Sequence, residues 1–145
     1  MFRILIFYFI FLVSTQNTFS KEIHCSIDKV TVIDADTLKF CDLKIRLNGI
    51  SAAERGHITY DSCKIITKKI IHKSDEISCE LTGEKTYDRF VGICKLINNN
   101  IIYDLQEKIV ESGCARDCER YSDGRYAKFE TDKSRNLPLP NYCNK

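Results

Sequence analysis

The chain has 145 residues, with 22 lysines and arginines against 20 aspartates and glutamates, a formal net charge of +2, eight cysteines and no tryptophan. That near balance excludes binding of polyanions through bulk positive charge, so any attraction for phosphate has to come from local clustering. With 43% apolar residues, the chain can close around one core, and its length suits a single domain.

Arg3, the apolar run from Ile4 to Val13 and the residues Thr18-Phe19-Ser20 read as a secretory signal peptide over residues 1–20, leaving residues 21–145 as one exported domain, periplasmic or secreted. The apolar run is about half of the ~20 residues that cross a bilayer, so no stable membrane span is expected after cleavage. All eight cysteines lie beyond residue 20 and none forms a Cys-x-x-Cys pair. An even number in an exported chain predicts disulfides, up to four, with the pairing open among about 105 connectivities.

From Ile23 to Ile50 the apolar residues recur with period two. Val30–Val32, Thr37–Phe40 and Leu43–Leu47 read as successive strands, and Cys41-Asp42 stands where a tight hairpin turn belongs. Asp61 is placed to cap a helix reaching about His72, with Cys63, Ile66 and Ile70 on one stripe. Glu76–Leu81 and Tyr87–Leu96 read as strands joined around Gly83, and Asn98-Asn99-Asn100 as a turn. Asp104 and Glu107 make a capping-box pattern for a helix ending at Gly113. A last helix is expected from Ser122 or Asp123 to about Ser134, before Pro138 and Pro140. This order predicts a mainly β, α+β domain: a five-stranded OB-fold Greek-key barrel with about three flanking helices.

Three stretches carry the chemistry. Asp34 and Asp36, two apart on an extended segment, share a face and can converge on one hard cation through oxygen. Arg46 falls on the polar side of its strand, where a guanidinium can hold a phosphate through two parallel hydrogen bonds. Glu54 follows in a loop as a carboxylate able to activate water. Tyr87 and Arg89 share strand parity, which sets an aromatic ring beside a second phosphate-binding fork. Basic residues cluster further at Lys64, Lys68, Lys69 and Lys73, a pattern that fits a solvated helix face, and at Arg116, Arg120, Arg125 and Lys128. His24, His57 and His72 have no partners at zinc-ligand or triad spacing, and no frame for a serine or cysteine nucleophile occurs.

In order, Val32-Ile33-Asp34-Ala35-Asp36-Thr37, Arg46-Leu47-Asn48-Gly49-Ile50-Ser51-Ala52-Ala53-Glu54 and Tyr87-Asp88-Arg89 resemble the motifs of the staphylococcal nuclease (thermonuclease) family, and Ile109-Val110-Glu111-Ser112-Gly113 resembles its helix end. The resemblance covers about residues 27–134. It implies an OB-fold, a calcium-dependent endonuclease acting on DNA, with RNA left open, and Arg46, Glu54 and Arg89 as catalytic residues. Calcium is implied at Asp36, supported by Asp34, Ser51 and the carbonyl of Ala52, with Tyr87 packing near the nucleotide. Ser51 stands where the family has a metal-binding aspartate, so a formal charge is missing and a weakened calcium site is expected. Ala35 replaces a glycine, which adds strain if that position has positive φ. The expectation is a monomeric exported nuclease. The competing expectations are a degenerate nuclease-like OB-fold that binds nucleic acid or another polyanion without turnover, and an interaction domain in which the arginines merely pair with Asp34, Asp36 or Glu54.

Overall fold

A computed structural model describes residues 20–145, so the expected signal peptide lies outside the described residues except for Ser20. The chain runs through β1 (Lys21–Cys25), β2 (Val30–Asp34), β3 (Thr37–Phe40), β4 (Leu43–Leu47) and β5 (Ile50–Ala52) into helix α1 (Tyr60–His72). Then come β6 (Glu76–Thr86), β7 (Arg89–Asn98), β8 (Ile101–Asp104), α2 (Leu105–Glu111) and β9 (Ala115–Asp117), followed by the single-turn helices α3 (Glu119–Ser122) and α4 (Asp132–Arg135). No helix among the described residues is long and apolar enough to cross a membrane.

The predicted β2-β3-β4 meander forms, with Cys41 at φ 53° in its second hairpin turn. Seven strands make one sheet in the order β1-β6-β7-β4-β3-β2, with β8 also on β7, and β5 pairs with β9 in a separate two-stranded sheet. β4 and β7 run parallel, and the other pairs are antiparallel. The fold is thus α+β and mostly strand, but the hydrogen-bonded path does not close into the expected five-stranded barrel. β1 covers the outer edge of β6 from Ile77 to Leu81, so that stretch has no free hydrogen-bonding edge to offer β2.

Several boundaries differ from the pattern reading. β6 continues through Gly83 over an irregularity between Leu81 and Lys85, and the hairpin turn falls at Tyr87-Asp88. α1 begins after Thr59, so Asp61 lies in its first turn and caps nothing; its buried stripe is Cys63, Thr67 and Ile71, with Ile66 and Ile70 beside it. Asp104 does cap α2, accepting the Glu107 N–H at 3.1 Å. The long final helix is absent, because left-handed Asp123 (φ 56°) and Gly124 (φ 77°) stop α3 after one turn.

The sheet packs its inner face with Leu38, Phe40, Ile45, Leu47, Ile77 and Leu96, against which α2 buries Leu105, Ile109 and Val110. Gln106, also fully buried, accepts the Cys94 N–H at 3.1 Å and donates to the carbonyls of Asn48 and Gly92, each at 3.3 Å. It therefore stitches α2 across the parallel β4–β7 junction, beyond which the Arg46 strand turns. All eight cysteines pair: Cys25–Cys41, Cys63–Cys114, Cys79–Cys94 and Cys118–Cys143.

Candidate active site

Asp34 ends β2 and Thr37 opens β3, so Asp36 lies within the two-residue turn Ala35-Asp36 that Asp34 precedes; the two aspartates do not alternate along an extended segment as the spacing suggested. Ala35 in that turn is not among the residues with positive φ, and the strain expected for replacing a glycine does not arise. A register shift between Val32 and Asp34 accommodates the turn.

The Asp36 side chain is nearly saturated. One oxygen accepts the Thr37 hydroxyl at 3.1 Å; the other accepts the Ala52 N–H at 2.8 Å and lies 3.1 Å from Nη2 of Arg46. Asp34 has no such support, since its Oδ1 is buried without a hydrogen-bond partner. Burial first, and the neighbouring charge of Asp36 second, push its carboxyl up to about 6.

Arg46 is less free than a groove-facing fork was expected to be. Besides its Asp36 pair, Nη1 donates to the carbonyls of Leu47 at 2.9 Å and Asp36 at 3.3 Å. Arg89 reaches the same turn from β7, its Nη1 donating to the Thr37 hydroxyl oxygen at 3.3 Å. A continuous chain therefore runs from Arg89 through Thr37 and Asp36 to Arg46, and Thr37, 2% exposed, is the joint between the two guanidinium groups. Pattern reading had placed Thr37 in a strand and in the Val32–Thr37 motif, without this bridging role.

Tyr87 does not share strand parity with Arg89. It occupies the first position of the β6–β7 turn at φ 56°, with 93% exposure, and the Arg89 guanidinium lies 6.0 Å from its ring centroid. A positive φ there suits the twist of a two-residue hairpin. The ring is thus beside the fork as expected, but from a turn. Lys44 fixes that turn to β4 through Asp88 at 2.5 Å.

Ser51 is 1% exposed and sits opposite Arg116 in the β5–β9 ladder. Ala52 meets Asp36 with its N–H, so what it contributes here is a hydrogen bond to a carboxylate. Glu54 is exposed two residues further on, and its side chain makes no hydrogen bond or ion pair among the described residues. Two residues reach at most about 7 Å, which keeps Glu54 on the Asp36 side of the molecule.

No cluster of three or more His, Cys, Asp or Glu side chains occurs among the described residues. Asp34 and Asp36 are nevertheless two oxygen donors side by side, and the buried, unpartnered Oδ1 of Asp34 fits a hard cation. Arg46 competes for the Asp36 oxygen such a cation would share.

Arg46 and Arg89 both line a groove of about 430 Å³, within the size range of ligand sites. Lys85 and Tyr87 form part of its wall, and Tyr121 and Tyr142 stand on another part. Neither of the last two was among the residues picked from the sequence. Their placement depends on the Cys118–Cys143 bridge, which the cysteine spacing left open.

No family model matches the chain. Over 114 residues it is 26% identical to the succinoglycan biosynthesis protein ExoI of Rhizobium meliloti (strain 1021), a match spanning 72% of this chain and 58% of that protein.

Proposed function

We propose that this chain is an exported, divalent-cation-dependent phosphodiesterase of the staphylococcal nuclease type, cleaving DNA. The observation that supports it most is the Arg89–Thr37–Asp36–Arg46 chain, which ties the two guanidinium groups that line one groove to each other through a carboxylate behind them. The β2-β3-β4 meander with its parallel β4–β7 contact supports reading the fold as an OB-type sheet left open at one edge. Four disulfides suit an oxidising compartment.

In this reading Arg46 and Arg89 bind the phosphate and stabilise the charge that builds on its oxygens. Glu54 takes a proton from a water whose oxygen attacks phosphorus, while the bond to the leaving oxygen breaks. Asp34 and Asp36 would hold calcium, which supplies Lewis-acid polarisation of the phosphate. The oxidised chain, titrated with calcium and manganese, then cleaves DNA, and Glu54→Gln slows cleavage by roughly 10²-fold to 10⁴-fold. Undiminished cleavage by Glu54→Gln removes this mechanism.

A second reading is favoured by the Asp36–Arg46 pair, which already neutralises the carboxylate a cation needs. On that reading the chain binds nucleic acid without turnover. It predicts oligonucleotide binding with no product at any calcium concentration.

A further inference from the structure

The C-terminal tail is built into the groove. The Cys118 N–H donates to the Gly49 carbonyl at 2.9 Å, directly beyond the Arg46 strand, and the Cys118 sulfur is bonded to Cys143. Both cysteines are buried, at 2% and 0% exposure, so the bridge is an interior anchor for the chain end. Cys143 carries Tyr142 on its N-terminal side, and Tyr142 lines the groove while 48% exposed. Tyr121, on α3 and also 48% exposed, lines it too, and its carbonyl accepts from the Asn48 side chain at 3.4 Å.

Two half-exposed phenol rings beside two phosphate-binding guanidinium groups have a definite complement. The ligand is a phosphate joined to a flat ring that can lie against an aromatic face. Base stacking of this kind tolerates any base, but it requires the base to be unpaired and out of a duplex stack. A buried core tyrosine such as Tyr126 uses its hydroxyl on Asp104; no hydrogen bond of that kind holds Tyr142 among the described residues.

We infer that Tyr142, held in place by the Cys118–Cys143 disulfide, is a base-stacking residue of the groove, so that the covalently anchored tail, together with Tyr121, selects an unpaired nucleotide whose phosphate lies on Arg46 and Arg89. The inference rests on the nucleic-acid reading above and adds a residue and a ligand form to it. Cys118 and Cys143 are positioning residues: they touch no ligand and act by fixing where the ring stands.

The test uses the full oxidised chain with chelator present, so that strands stay intact, and two labelled single strands of equal length and charge, oligothymidylate and its abasic counterpart. Binding is read by fluorescence anisotropy and, because the chain has no tryptophan, by quenching of tyrosine emission. The expected result is tighter binding of the strand with bases, a loss of roughly 5-fold to 100-fold for that strand in Tyr142→Ala, and little change for the abasic strand. Tyr142→Phe keeps the ring and restores base-dependent binding. Cys118→Ser/Cys143→Ser lowers binding of the base-containing strand, the abasic strand again reporting the phosphate contacts alone. Equal losses on both strands in Tyr142→Ala assign the residue a structural role and overturn the inference, as does Tyr142→Ala binding like the parent chain. Failure of the parent chain to bind either strand overturns the nucleic-acid reading itself.

Discussion

Asp34 is the less supported carboxylate of the pair, its Oδ1 buried without a hydrogen-bond partner. Thr37, the Ala52 N–H and Arg46 all serve Asp36, while Oδ1 of Asp34 has none. The Asp34 carboxyl accordingly rises from its ordinary 3.8 to about 6, through burial and the adjacent charge. A carboxyl with a higher pKa folded than unfolded binds its proton more tightly in the folded chain. Its contribution is therefore fully present below about pH 4 and is lost as pH rises through about 6. In chelator, Asp34→Asn should raise Tm at about pH 7.5 by roughly 3–5 °C, corresponding to about 1 kcal/mol once partial exposure is discounted, and by much less at about pH 4.5. Thermal melts at the two pH values decide it, and an equal gain at both contradicts the assignment.

At the scale of elements, β5 and β9 carry the consequence of Ser51. Each is three residues long, and Ser51 is enclosed in the ladder opposite Arg116, whose Nε lies 3.4 Å from Glu130. An aspartate placed there adds a buried charge whose nearest basic neighbour is already paired. Ser51→Asp should therefore lower the Tm of the calcium-free chain by several degrees and enlarge the Tm rise that calcium produces. Melts with chelator and with excess calcium check both halves; an unchanged calcium-dependent rise argues against a cation at the Asp34–Asp36 turn. Residues of this kind also mark what pattern could and could not convey. The β2-β3-β4 meander and the end of α2 at Gly113 were legible, because period-two alternation and a glycine at φ 82° are strong local signals. Arg46, Arg89 and Asp36 were legible as a set, and the turn does bring them together. Tyr87 was misplaced because a tyrosine at positive φ gives no local warning of a turn, whereas Gly83 suggested one where the strand merely bulges. β5 and β9 were too short to show a period, and the pairing that places Tyr142 is a long-range fact.

For the whole molecule, charge distribution decides how binding must respond to salt. Setting aside Arg3, which lies outside the described residues, the chain has 21 basic residues against 20 acidic ones, so no general field draws in a polyanion. What the groove offers is local: Arg46, Arg89 and Lys85. Two or three phosphate contacts on a single strand correspond to a slope of log K against log salt of about −1.4 to −2.1. One of the two basic clusters lies elsewhere, where Lys64, Lys68 and His72 of α1 line a separate shallow groove with Val30 and Val32 of β2. If that row also met the strand, with Lys69 and Lys73 adding to it, six or more phosphates would be neutralised and the slope would steepen to about −4 or beyond. Affinity for an oligothymidylate measured across a range of salt concentrations therefore reads out how much of the surface takes part. The shallow slope is expected, and with it a further loss of nearly one phosphate's worth, about 0.7 in slope, in Arg89→Ala. A steep slope that Arg89→Ala leaves unchanged moves the interface off the groove and onto α1, and leaves the groove arginines without a part in binding.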